Sequence, residues 1–182
     1  MAGGTNESLF RVAVRKIVIG FSRPKGWFKP FSWAIRLVEW TPYSHVYIKT
    51  YSNLANTWLI YQASGTQVNF MGQKQFDAHA ETIKEFEFEI SEDAYKGYMT
   101  WAIINAGAPY GLGSVIGILL MRLLRLNKNI LADGSILQYC AELTARAMHD
   151  FIKADILPSE FETAGPKRIY EICELLSFKE QT

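Results

Sequence analysis

Two cysteines, Cys140 and Cys173, and three histidines, His45, His79 and His149, are the side chains of this chain best suited to nucleophilic or metal chemistry. No spacing among them resembles a zinc site, so no metal or cofactor is expected. What remains is a thiol that attacks and an imidazole that takes its proton. Cys140 opens the run Cys140-Ala141-Glu142-Leu143-Thr144-Ala145-Arg146-Ala147-Met148, just where a loop gives way to a helical pattern. The first turn of a helix presents unpaired N–H groups and the positive end of its dipole, and both favour a thiolate. The same N–H groups can hold the oxyanion of a tetrahedral intermediate. The competing reading of a single cysteine is a small buried apolar residue. Cys173, late in an apolar-periodic tail, is read that way.

The thiol needs a base. His149 follows Cys140 on the same helix. At about 100° per residue it falls on roughly the opposite face, out of reach of the thiol. His79 lies in the polar loop Phe76-Asp77-Ala78-His79-Ala80, with no rigid element to hold it. His45 sits on a strand, just after the turn-like Thr41-Pro42-Tyr43-Ser44, and rigid placement makes it the best candidate. A hairpin turn centred between Asn53 and Leu54 sets His45 directly opposite Gln62, on the same side of the sheet. An amide there can accept the imidazole N–H and fix its tautomer. A one-residue slip would put the two on opposite faces.

The elements that must position these groups follow from periodicity. Residues 16–22, rich in β-branched side chains, read as a strand that ends at Arg23-Pro24-Lys25-Gly26. After an aromatic loop, residues 32–40 read as a helix with Trp33, Leu37 and Trp40 at helical spacing. Residues 44–51, 57–63, 67–70 and 82–90 read as strands. Ser91 caps a helix running to about Ala106. Residues 107–113 form a glycine-rich loop, and a second apolar helix covers 114–126. Residues 127–138 are loop, a third helix runs over 139–156, and the tail 166–176 is helical. Antiparallel strands between helices argue for an α+β fold.

Length and charge bound the rest. A chain of 182 residues is expected to form a single domain, with a core over about 16–156 and the helical tail beyond it. Lys and Arg number 19 against 18 Asp and Glu, which excludes a nucleic-acid binder driven by bulk charge. The apolar stretch 9–19 is broken by Arg11, Arg15 and Lys16, so no signal peptide is expected. The longest apolar run, around 115–124, is too short for a transmembrane helix. The expected setting is a reducing cytoplasm or a virus particle assembled in one.

Four segments together resemble a known family. Trp40-Thr41-Pro42-Tyr43-Ser44-His45-Val46-Tyr47-Ile48 comes first, followed by Tyr61-Gln62-Ala63-Ser64-Gly65. Gly107-Ala108-Pro109-Tyr110-Gly111 and Tyr139-Cys140-Ala141-Glu142-Leu143 complete the set. In order and spacing they resemble the circularly permuted branch of the NlpC-type papain-like cysteine hydrolases. There the histidine strand precedes the cysteine helix. The resemblance covers about residues 16–150. It implies a papain-like fold, an antiparallel sheet packed against helices with the nucleophile at a helix N-terminus. It also implies Cys140 as nucleophile, His45 as general base and Gln62 as the orienting third group. Permuted members often carry Glu at that place, which holds imidazolium by charge; an amide only accepts its hydrogen bond. Tyr110 matches the family's Pro-Tyr element and is expected to bind substrate or donate to the oxyanion. Tyr43 and Gln138 are further candidates for that job, with core packing the alternative for Tyr43.

The activity so implied is cleavage of an amide or peptide bond through a thioester acyl-enzyme, with bacterial cell-wall peptidoglycan as substrate in a phage-encoded enzyme. One alternative is a lipid-directed acyltransferase or phospholipase of the same fold, acting on an acyl-lipid. For that reading the aromatic loop 27–33 and the helix 114–126, with Arg122 and Arg125, would meet a membrane surface. Core packing is the favoured reading of that helix. The other alternative is a weakly active structural or binding module of a virion.

Overall fold

The structure, a computed structural model, describes residues 13–26, 29–126, 128, 129, 131 and 139–179. Five strands form one antiparallel sheet in the order β4-β3-β2-β1-β5. They are β1 (Val14–Pro24), β2 (His45–Ser52), β3 (Thr57–Ser64), β4 (Gln67–Gly72) and β5 (Ala80–Ser91). The fold is α+β, as expected.

The apolar run of β1 is continuous because the strand lies between β2 and β5 and is covered on both faces; Ile17 to Ser22 are all buried. The edge strand β5 alternates instead, with Phe86, Phe88 and Ile90 inward and Glu87 and Glu89 outward. One face of the sheet carries Ile17, Ile19, Phe21, Val46 and Ile48 into the main core. There they meet Tyr98 of α3 (Glu92–Asn105), Leu143 of α5 (Cys140–Ala147) and Ile169 of α6 (Pro166–Lys179). Ser91 caps α3 as expected, its hydroxyl accepting from the Ala94 N–H at 3.2 Å.

The opposite face holds a smaller cluster of Tyr47, Ile60 and Phe76. The Tyr47 ring lies directly over Gly20, its cross-strand partner, where a Cβ would come within 2.1 Å of the ring. Its hydroxyl donates to Glu85 at 2.7 Å. Phe76 packs on it at 4.6 Å from α2 (Gln73–His79). This helix replaces the loop expected around His79. It is short and has one buried apolar residue, Phe76, so it carries no periodicity to read.

Three further expectations change. The helix expected over 139–156 ends at Ala147, loosens into a π turn over Met148–Ile152 and stops at Lys153, whose φ is 61°. The turn redirects the chain so that Ala154 and Ile156 return to the core. A 3-10 helix, Pro158–Thr163, follows. The pairing of β2 with β3 sets Ile48 opposite Tyr61, two positions on from the expected register. Finally, α1 (Pro30–Glu39) forms, but the stripe of Trp33, Leu37 and Trp40 that marked it faces outward; all three are exposed. The helix α4 (Leu112–Leu124) buries Val115, Gly117, Ile118 and Met121, as the core reading requires, while Leu123 and Leu124 stay exposed. Among the described residues, no helix is long and apolar enough to cross a membrane.

Candidate active site

Cys140 is the first residue of α5 and is 4% exposed. The residue before it anchors the helix start: the Tyr139 hydroxyl lies 3.0 Å from the carbonyls of both Phe161 and Ala164. Inside the helix, the Thr144 hydroxyl donates to the Cys140 carbonyl at 2.9 Å. The backbone N–H groups of Val46, Ala141 and Cys140 itself each pull the thiol pKa down. Val46 belongs to the opening of β2, before the β2–β3 ladder begins at Ile48. The helix that starts at Cys140 thus packs against the strand that carries His45.

The thiol is not acidic. Burial pushes Cys140 up to about 11, against the pull of those N–H groups. This corrects the expectation of a depressed value: a helix N-terminus is present, but desolvation outweighs it. Burial also lowers His45 to about 4, with its hydrogen bond to Gln62 pulling the other way. The resting pair is a neutral thiol and a neutral imidazole. Among the described residues, no hydrogen bond joins the two side chains directly. Such contacts often tighten only when substrate binds.

His45 Nε2 and Gln62 Oε1 are 2.8 Å apart, so the imidazole N–H donates to the amide oxygen. That places the proton on Nε2 and the lone pair on Nδ1. The two residues meet diagonally rather than face to face. A shift of two positions keeps a side chain on the same face of its strand, so the pair survives the corrected register. Gln62 is buried, and its amide nitrogen reaches the Met71 sulfur at 3.9 Å. Gln62→Ala should slow acylation about 5- to 30-fold, the loss of a hydrogen bond of about 1–2 kcal/mol. Gln62→Glu should raise the His45 pKa and move the acid limb of the rate profile to higher pH. If both variants track wild type across pH 3 to 8, about the range in which imidazole charge changes, Gln62 does not orient His45.

Tyr110 is brought to this place by backbone pairing. Its N–H donates to the Thr66 carbonyl at 2.9 Å, Val68 N–H donates to Ala108, and Pro109 bridges Gln67. The glycine-rich loop is thereby tied to the β3–β4 turn. Burial first, and then the charge of Cys140, push the Tyr110 hydroxyl up. Tyr110 borders both the crevice at Cys140 and the cleft at His45. Tyr43 is buried and stacks on Tyr170 with ring centroids 5.3 Å apart, so its core alternative is the one realised. Gln138 lies outside the described residues. His149 sits on the π turn and packs edge-to-face with Phe161, ring centroids 5.5 Å apart. His79 is exposed at the end of α2. Cys173 is fully buried in the core.

Several site residues escaped the sequence reading. Glu39 of α1 is buried, lines the crevice beside Cys140 and accepts the Lys167 N–H at 2.9 Å. Burial raises its pKa. Its signal was a single acid within an otherwise apolar and basic stretch, 29–40. The cleft at His45 and Gln62 has a volume of about 560 Å³. Ser22, Ser32 and Ser44 line it, and among the described residues Lys25 and Lys29 bring positive charge to it. The Ser22 hydroxyl is buried there and makes no hydrogen bond among the described residues. No protein-family model matches the chain, and no curated protein matches it.

Proposed function

We propose that the chain is a papain-like thiol hydrolase of the permuted NlpC type, which cleaves an amide or peptide bond through a thioester on Cys140. One observation carries this reading: Gln62 holds His45 at 2.8 Å on the sheet, and α5, which starts at Cys140, packs against the strand that carries His45. Because the resting pair is neutral, His45 acts as a general base during attack. Nδ1 takes the thiol proton as sulfur bonds to the carbonyl carbon and the π pair moves onto oxygen. The N–H groups at the start of α5, with Tyr110, face the developing oxyanion. His45 then returns the proton to the leaving amine as the C–N bond breaks. Water, deprotonated by the same imidazole, hydrolyses the thioester and restores the thiol.

The serine-lined cleft suits a polar chain, and its two lysines suit a substrate bearing a carboxylate, as a peptidoglycan stem peptide does. A second reading, an acyl-lipid substrate, draws on the apolar crevice that Cys140 shares with Ile35, Val38, Val115, Ile118 and Leu119. That crevice has a volume of about 20 Å³. This is room for about one water, so an acyl chain enters only if α1 and α4 part. The peptide reading therefore leads.

Mass spectrometry after incubation with stem peptides tests the proposal, the thioester adduct being expected on Cys140 alone. An adduct persisting in Cys140→Ala would overturn it, and a chain that alkylates but never acylates would be a binding module. The pH dependence is specific. Acylation should rise through about pH 4, as His45 loses its proton, and stay flat through neutrality. Iodoacetamide should label Cys140 slowly at pH 6 and faster toward pH 11, with Cys173 slower still because burial raises it further. Rapid labelling of Cys140 at pH 6 would show a preformed ion pair and rule out the neutral one.

A further inference from the structure

The two helices that wall the crevice both turn apolar side chains outward. On α1 these are Phe31, Trp33 and Leu37, with Trp40 at its C-cap; Trp33 is 60% and Trp40 84% exposed. On α4 they are Leu112, Leu123 and Leu124, with Leu123 70% exposed. The helices pack on one another. The groove between them, about 470 Å³, is lined wholly by apolar side chains, among them Phe31, Ala34, Val38, Ile116, Leu119 and Leu123.

The exposed charges of the two helical segments have one sign, with Glu160 and Glu171 of neighbouring segments bordering Arg122. Along residues 29–40 and 112–128 the cations are Lys29, Arg36, Arg122, Arg125 and Lys128, and the only acid is Glu39. Glu39 is buried, so the exposed charge of both segments is entirely positive, on a chain whose net charge is +1. A second copy of this chain is a poor occupant, because mating two such faces brings like charges together. The core of a protein interface is also depleted in charge, whereas here cations lie among the apolar residues. Exposed tryptophans with a basic rim match the headgroup layer of an anionic bilayer: the rings sit at the interface and the long cationic side chains reach phosphate.

We propose that the α1–α4 face docks peripherally on an anionic bilayer surface. The docking does not depend on the chemistry at Cys140. It is tested with the full chain carrying Cys140→Ala, by co-sedimentation with phosphatidylcholine vesicles and with vesicles containing about one third phosphatidylglycerol. Binding is expected to the anionic vesicles, and to weaken as salt rises. Each cation near the surface contributes about fivefold, so Arg122→Glu with Arg125→Glu should lower the partition coefficient more than about tenfold. Trp33→Ala with Trp40→Ala should lower it about tenfold through lost apolar contact. All four side chains are exposed, and near-wild-type circular dichroism checks that the fold survives the loss of the Arg122 bond to the Thr163 carbonyl. Leu54→Ala, 99% exposed on the β2–β3 turn, should bind as the parent does. No binding to the anionic vesicles overturns the proposal, as does an equal loss in Leu54→Ala. A dimer on size exclusion that Trp33→Ala dissolves, without vesicle binding, assigns the face to a second copy and overturns it too. Since the test protein lacks the thiol, its failure leaves the thiol mechanism untouched.

Discussion

Alanine in place of His45 is expected to slow acylation of Cys140 by p-nitrophenyl acetate about 10²- to 10⁴-fold at pH 7, the span typical of general-base catalysis. The upper bound follows from the thiol itself. With Cys140 pushed up to about 11, only about one molecule in 10⁴ carries a thiolate at pH 7, and without a base that fraction alone reacts. The variant should therefore show a rate that climbs about tenfold per pH unit above 7, while wild type stays flat. His79→Ala and His149→Ala should match wild type. His79 is exposed at the end of α2, and His149 rests against Phe161. A flat profile in the His45 variant would mean that the thiolate forms without it. Loss of rate in His79→Ala would move the base to the cleft wall.

Gly20→Ala should lower the stability of the domain by about 1–3 kcal/mol, an overpacking cost. For a domain of this size that is a fall of about 2–10 °C in the melting midpoint. The added methyl would meet the Tyr47 ring at 2.1 Å, and the ring has little freedom to move. Its hydroxyl is tied to Glu85 and Thr82, and Phe76 closes its other side. Displacing Tyr47 would loosen α2 and, with it, the wall of the cleft that carries Phe76 and His79. Gly113→Ala is the control: it lies in α4 with open contact distance, so alanine should hold or raise the midpoint through its better helix propensity. A Gly20→Ala protein that melts with wild type would show that the Tyr47 ring steps aside freely.

The local chemistry of the chain specified most of the elements by itself. A β-branched run, alternating apolar residues and turn signals marked the five strands, Ser91 marked the start of α3, and the pattern after Tyr139 put Cys140 at a helix start. His45 and Gln62 were legible as partners even with the strand register off by two positions, because side chains on a strand repeat every second residue. What the sequence could not supply was the environment of each group. Cys140 has the helix terminus that lowers a thiol pKa, yet packing around it removes the water that would solvate a thiolate, and desolvation prevails. The spacing of Trp33, Leu37 and Trp40 correctly predicted a helix but not its buried side, since α1 is apolar on two faces and only the positions of α4 and the crevice choose between them. Glu39 became a site residue in the same way, carried beside Cys140 by the docking of α1 and α6. Periodicity is a property of neighbours along the chain; burial and charge environment come from residues far apart in it, and only the tertiary structure brings those together.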